Sequence, residues 1–144
     1  IPVETGLLCP QGRIYAIERD EEVVTLIKRN CDRFRVDNVE IIPGSAPECL
    51  EKLPIDPHRV CLEGGRPLKP ILQQIWPRLL PGGRIVATAV SLENLYTISE
   101  TFAELQVRSI EVVQSVVNRL ETRGGHQIFA ALDPIFILSG EKLV

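Results

Sequence analysis

Apolar and polar positions follow a β-then-α rhythm along this chain. The run Ile14-Tyr15-Ala16-Ile17 is continuous enough for a buried strand, and it stops at Glu18. Asp20 then stands as a helix N-cap, with Glu21 and Glu22 in the first turn, where the helix dipole favours acids. Val23, Val24, Ile27 and Phe34 recur at three- and four-residue spacing, the stripe of an amphipathic helix. Residues 39–42 read as the next strand. Ser45-Ala46-Pro47-Glu48 has the form of a capping box opening a short helix to about Leu53.

The rhythm continues with a strand over 59–62, a turn at Glu63-Gly64-Gly65, and a helix from about Pro67 to Leu79. The stop Leu79-Leu80-Pro81-Gly82-Gly83 feeds a strand over 84–89, and Ser91 caps a helix running to about Glu104. Such alternation predicts a mostly parallel sheet with helices on both faces. The ending differs. Residues 109–120 and 134–140 are both β-rich, and 121–133 between them hold two glycines and little helical pattern. Strands joined without a crossover helix pair antiparallel. The predicted fold class is therefore α/β, a doubly wound Rossmann-like sheet of the class I methyltransferase variant, mostly parallel and ending in an antiparallel strand pair. Val112-Val113 and Val116-Val117 are apolar pairs rather than a clean alternation, so that strand is expected to be covered on both faces or to carry a bulge. An apolar edge left open invites a second chain, so a homo-oligomer is expected.

Composition narrows the class. The 144 residues, 44% hydrophobic and 24% charged, suit one ordinary globular domain. The formal net charge of -3 gives no electrostatic case for general nucleic-acid binding. No apolar run approaches the roughly 20 residues of a membrane helix, and nothing at the start resembles a signal peptide, so a cytoplasmic location is expected. Cys9, Cys31, Cys49 and Cys61 are widely spaced with no C-x-x-C pair; buried free thiols are expected, and no metal site. The chain has no methionine, even at residue 1, which leads us to expect a longer gene product.

Ligands of open α/β sheets bind outside the carboxyl ends of the strands. Glu18, Gly44-Ser45-Ala46 and Glu63-Gly64-Gly65 all fall at such ends. A carboxylate there can accept two hydrogen bonds from a ribose diol; the alternative for Glu18 is a solvated strand-end acid. Ser45 reads first as a helix cap, while Ala46 offers a backbone N–H toward an adenine nitrogen and leaves room for the ring. The Glu63-Gly64-Gly65 turn suits either close backbone approach to a ligand or a tight bend. His58 reads as surface, and His126, in the loop after Gly124-Gly125, is a candidate proton carrier. No Ser-His-Asp constellation is present.

Three stretches carry a resemblance: "IPVETGLLCPQGRIYAIERDEEVVTLIKRN" at 1–30, "NVEIIPGSAPECL" at 38–50 and "LPGGRIVATAVSLEN" at 80–94. With the closing "HQIFAALDPIFILSGEK" at 126–142, they resemble the decarboxylating precorrin-6Y and cobalt-precorrin C15-methyltransferases of cobalamin biosynthesis, over nearly the whole chain. The resemblance implies S-adenosylmethionine as cofactor, with Glu18 on its ribose, Ser45 and Ala46 beside its adenine, Gly64 and Gly65 bordering the transferred methyl, and Glu63 among the cofactor-binding residues. It implies a small-molecule precorrin substrate, methylated at C15 and decarboxylated at the C12 acetate. Arg66, Arg119, Arg123 and His126 are then candidates to face the substrate's carboxylates, each also readable as a solvated surface group. It further implies a single domain over 1–144 that lacks the family's first strand and glycine-rich turn before Ile1, a homo-tetramer, and in some members fusion behind a C5-methyltransferase domain. Ser45 departs from the pattern, since many methyltransferases have Asp there. The competing expectations are another class I methyltransferase acting on tRNA or isoaspartyl protein, a nicotinamide-dependent dehydrogenase, or a non-catalytic domain of the same fold.

Overall fold

Parallel strand pairing organises the N-terminal part of the chain. The computed structural model describes residues 1–64 and 67–143, which form two units, Ile1–Ile55 and Asp56–Val144. The first contains helix α1 (Pro2–Leu8), strand β1 (Ile14–Glu18), helix α2 (Glu21–Phe34), strand β2 (Val39–Pro43) and a 3-10 helix (Glu48–Lys52). Strands β1 and β2 run parallel in register from Ile14↔Val39 to Glu18↔Pro43, with α2 as the crossover that parallel neighbours require. Asp20 caps α2 as expected, its Oδ1 accepting from the N–H groups of Glu22 at 2.9 Å and Val23 at 3.4 Å.

Asn38 locks the entry to this pair. Its side-chain Nδ2 lies 3.2, 2.9 and 3.0 Å from the carbonyls of Gly6, Cys9 and Gly12. Two amide hydrogens therefore serve three acceptors, closing the turn between α1 and β1 from the far end of α2. Gly6 packs against the same side chain, for a Cβ there would meet Val36 and Asn38.

The expected capping box does not form. The 3-10 helix starts only at Glu48, with Pro47 as its N-cap and no side-chain cap bond. Ser45 stands two residues too early; its carbonyl, not its hydroxyl, takes part, accepting from the Cys49 N–H at 2.9 Å. Pro47 occupies the place where a capping box needs helical residues with free N–H groups.

The second unit contains β3 (Arg59–Leu62), α3 (Leu68–Arg78), β4 (Arg84–Ala89), α4 (Leu92–Glu104), β5 (Arg108–Ser115), β6 (Asn118–Arg123), β7 (His126–Ala131) and β8 (Ile135–Glu141). Its main sheet has the order β3-β4-β8-β5. Strands β3 and β4 are parallel, and β8 is antiparallel to both β4 and β5, so the closing antiparallel pair is as expected. Successive crossovers step the same way along the sheet, which places α3 and α4 on one face. Leu72, Ile85, Ile98 and Phe102 are fully buried there, with Leu138 at 1%. The buried Thr101 hydroxyl donates to the Thr97 carbonyl at 2.6 Å, so burying it leaves no unmet polar group.

Lys142 secures the far end of α3. Its Nζ lies 2.9, 3.1 and 2.8 Å from the carbonyls of Trp76, Pro77 and Leu79, acceptors that a helix end otherwise leaves open.

Several expectations change here. The strand expected over 109–120 breaks at Val116-Val117, and residues 121–133 are not a loop but belong mostly to a hairpin of β6 and β7. Gly124 and Gly125 turn it, with φ of 56° and 79°, the pair of positive values a type I′ turn needs. The valine pairs are neither covered on both faces nor bulged: every residue of β5 is exposed, as are Val116 and Val117, and the register shift lies ahead of them, between Arg108 and Glu111, where Ser109 has φ 51°. All four cysteines are free, but only Cys49 is buried; Cys9 and Cys61 are exposed. Cys61 lies on β3, which pairs with β4 on one side only among the described residues.

Replacing Asn38 tests the turn lock. Asn38→Ala removes the shared amide bonds, each worth about 1 kcal/mol net, and should lower unfolding free energy by about 2 kcal/mol in a urea titration. Asn38→Asp should cost more, because a carboxylate donates nothing to three carbonyls. An unchanged midpoint in both would show that the turn closes without this side chain.

Candidate functional site

The carboxyl ends of β1 and β2 meet at Glu18 and Pro43, which are register partners. The Gly44 N–H donates to the Glu18 carbonyl at 3.0 Å and extends that contact by one residue. Glu18 is half-buried. Its Oε1 accepts from the N–H groups of Arg19 at 2.8 Å and Asp20 at 2.9 Å. Those two bonds fix the carboxylate plane, while Oε2 has no hydrogen-bond partner among the described residues. The result is a positioned acceptor at a strand end.

Gly44 makes the adjoining loop possible. Its φ of 137° is open to glycine and strained for other residues, and a Cβ would collide with the Cys49 sulfur. The chain then presents half-buried Ser45 and Ala46 beside the strand ends. The first unit thus brings together Glu18, Ser45 and Ala46. The Ser45 hydroxyl is free of the capping role expected of it, and Ala46 has the smallest side chain that a non-glycine residue can offer a flat ring.

In the second unit, Glu63 and Gly64 follow directly on β3 and are exposed, Gly64 with φ 64°. Gly65 and Arg66 lie outside the described residues. Nearby, a pocket of about 670 Å³ is lined by Pro67, Leu68, Ser91, Glu93, Asn94 and Thr97. It sits between the N-terminal ends of α3 and α4, just past the carboxyl ends of β3 and β4. Sequence reading gave Ser91 only its capping role, which it keeps by accepting from the Asn94 N–H at 3.2 Å. The rule that selected Glu18, position just beyond a strand's carboxyl end, also fits Ser91, Glu93 and Asn94. Cys61, two residues before Glu63, has its thiol pKa raised by desolvation and then by the Glu63 carboxylate. Both effects disfavour the thiolate.

Arg123 and His126 are brought together as cross-strand partners at the tip of the β6–β7 hairpin. Both are exposed, and Arg123 is already paired with Glu121, at 3.0 and 2.7 Å. Arg119 lies on the same face of β6, two and four residues before Glu121 and Arg123. None of these three lines the pocket. His58 is exposed, as expected. Among the described residues, no group of three or more His, Cys, Asp or Glu side chains is placed to hold a metal ion.

Parallel βαβ units, an antiparallel closing pair and an acid at the carboxyl end of β1 define the class I methyltransferase fold. A solved S-adenosylmethionine-dependent O-methyltransferase from Thermotoga maritima shares it at TM-score 0.69 and 18% identity, over 92% of this chain and 51% of that one. The particular family is narrower. The model described as "Precorrin methyltransferase domain" matches residues 1–142, and the chain belongs to that family. It is 34% identical over 144 residues to a protein of Sulfolobus acidocaldarius named probable cobalt-precorrin-6B C(15)-methyltransferase (decarboxylating), covering 99% of this chain and 74% of the relative. The structure titled precorrin-6y C5,15-methyltransferase from Geobacter metallireducens superposes at TM-score 0.86 with 31% identity, over 97% of this chain and 74% of that chain.

Gly44 is the sharpest local test. Gly44→Ala should lower stability by about 2 kcal/mol, from backbone strain together with the Cys49 collision. The double variant Gly44→Ala with Cys49→Ala should recover the part due to crowding and keep the part due to φ. Equal midpoints for wild type and Gly44→Ala in chemical denaturation would contradict this reading of the loop.

Proposed function

We propose that the protein transfers a methyl group from S-adenosylmethionine to C15 of a reduced precorrin and removes the carboxyl of its C12 acetate, in the making of the corrin ring. Membership of the precorrin methyltransferase family supports the reaction, and the observation that carries the site is the positioned carboxylate of Glu18 with an open second oxygen. The residues present fit the cofactor. Glu18 would accept the ribose hydroxyls, and Ala46 would face the adenine with Ser45 beside it. We propose that both units serve one methyltransferase domain, that it works in the cytoplasm, and that it assembles as a homo-oligomer, a tetramer by family resemblance.

When bound, S-adenosylmethionine supplies a methyl group already activated for transfer. The protein's own work is then to hold the nucleoside, orient the acceptor carbon and keep water out. That needs no dedicated nucleophile. The substrate carries several carboxylates. Arg123 and His126, adjacent at the hairpin tip, are the pair we propose to meet them, with Arg119 and Arg66 as further cations. Arg123 would exchange its Glu121 partner for a substrate carboxylate.

Incubating the full protein with S-adenosylmethionine and a reduced precorrin bearing the C12 acetate should give a product one methyl heavier and one carbon dioxide lighter by mass spectrometry. An unconverted precorrin would overturn the reaction assignment. Glu18→Gln keeps the shape but weakens charge-assisted hydrogen bonds of roughly 1.5–3 kcal/mol, so S-adenosylhomocysteine should bind about ten- to a hundredfold less tightly by calorimetry. Unaltered affinity in a folded variant would remove Glu18 from the ribose. The double variant Arg123→Ala with His126→Ala should raise the precorrin KM about tenfold or more, from loss of charge-assisted contacts, and leave S-adenosylhomocysteine affinity alone. Full turnover would assign the tip a structural role only.

A further inference from the structure

The reaction proposed above has two halves, and the cofactor accounts for one of them. In the other, the bond between the methylene and carboxyl carbons of the C12 acetate breaks. Carbon dioxide leaves, and the electron pair stays on the methylene carbon and spreads into the adjoining ring. A proton must then reach that carbon to complete a methyl group. S-adenosylmethionine does not supply it. General acid catalysis needs a placed side chain that can give a proton up.

The pocket between the starts of α3 and α4 holds such a group. Among its described lining residues, Pro67, Leu68, Ser91, Asn94 and Thr97 carry no readily ionised proton, and Glu93 does. Glu93 lies in the first turn of α4 and is exposed. Its carboxyl has no hydrogen-bond or ion-pair partner among the described residues. The other two acids of α4 are engaged. Glu100 accepts from the Tyr96 hydroxyl at 3.2 Å, and Glu104 pairs with Lys69 at 2.6 Å.

Neutral polar groups accompany the free acid. Ser91, Asn94 and Thr97 recur every three residues and so share one face at the start of α4. All three are half-buried. The Ser91 oxygen accepts the Asn94 N–H, which leaves its own hydroxyl hydrogen to donate. Such donors can hold a carboxylate arm without pairing it to a cation, so little is lost when it becomes carbon dioxide. Leu68, buried at the start of α3, gives the pocket an apolar side, and apolar surroundings favour the uncharged product over the carboxylate.

We propose that Glu93 is the general acid of the decarboxylation, and that Ser91, Asn94 and Thr97 hold the acetate it acts on. The inference rests on the reaction proposed above. The carbon–carboxyl bond breaks, carbon dioxide departs, and a new C–H bond forms with the proton from Glu93. The carboxylate left behind regains a proton from water at the mouth of the pocket. A bound ring that excludes water favours the neutral form of a carboxyl, the form from which the proton is given.

The test follows carbon dioxide release and product mass with the full protein, S-adenosylmethionine and a reduced precorrin bearing the C12 acetate. Glu93→Gln keeps the shape but has no proton to give, so it should release carbon dioxide about a hundredfold more slowly or worse. The loss should fall on kcat, with melting temperature and S-adenosylhomocysteine affinity near wild type. Formate added to Glu93→Ala should restore part of the rate, because a small acid can enter the vacated space and donate. Glu100→Gln, on the same helix but not lining the pocket, should behave as wild type. Wild-type release by Glu93→Gln would overturn the role and leave the reaction standing, as would an equal loss in Glu100→Gln. A slow Glu93→Ala that formate does not revive would make Glu93 structural and overturn the proton transfer. A wild type that leaves the precorrin unconverted would overturn the reaction itself, and this role with it.

Discussion

The last strand of the chain is the constraint on which the second unit depends. Strand β8 inserts between β4 and β5 and pairs with both, so this sheet cannot close until the chain is nearly complete. Leu138, at its centre, is 1% exposed and completes the core beneath α3 and α4. Gly140 leaves the space that Val107 fills; a Cβ there would collide with that side chain and crowd the Arg108 carbonyl. Two residues on, Lys142 supplies the donors that finish α3. Sheet, core and helix end are thus tied to one segment of about eight residues. The order in which contacts form follows from that dependence, because long-range pairings carry the loop-closure entropy of everything between them.

Function is built on what these frameworks hold still. The β1–β2 pair ends in a carboxylate whose plane is fixed by its own neighbouring N–H groups, and the loop after β2 bends through a glycine that only Cys49 packing and a positive φ explain. A group positioned before its ligand arrives loses little freedom on binding, which is the general advantage of preorganisation. The chemistry assigned to the family suits such a site. The reactive group arrives with the cofactor, so the side chains need to bind and orient rather than attack.

Much of this was legible in the residues. The strand that stops at Glu18, the Asp20 cap and the strand over 84–89 were readable because each depends on near neighbours in sequence. The parallel-then-antiparallel order followed from which segments could serve as crossovers. Three features were not legible. The failed capping box depended on where Pro47 sits relative to the first helical turn. The β6–β7 hairpin was hidden because Gly124-Gly125 was read as part of a loop rather than as a type I′ turn. The pocket beside Ser91 and Asn94 arises from two helix starts separated by more than 20 residues, a proximity no local pattern records. Cys61 misled for a related reason, since an apolar neighbourhood in sequence does not bury a residue on a strand that, among the described residues, is paired on one side only.

The central claim is that the carboxyl ends of β1 and β2 hold the nucleoside of S-adenosylmethionine. A crystal structure of the full protein with S-adenosylhomocysteine tests it most directly. The account predicts both ribose hydroxyls within hydrogen-bond distance, about 2.6–3.2 Å, of the Glu18 carboxylate, and the adenine ring against Ala46. A nucleoside bound elsewhere, with Glu18 still turned to solvent, would contradict it.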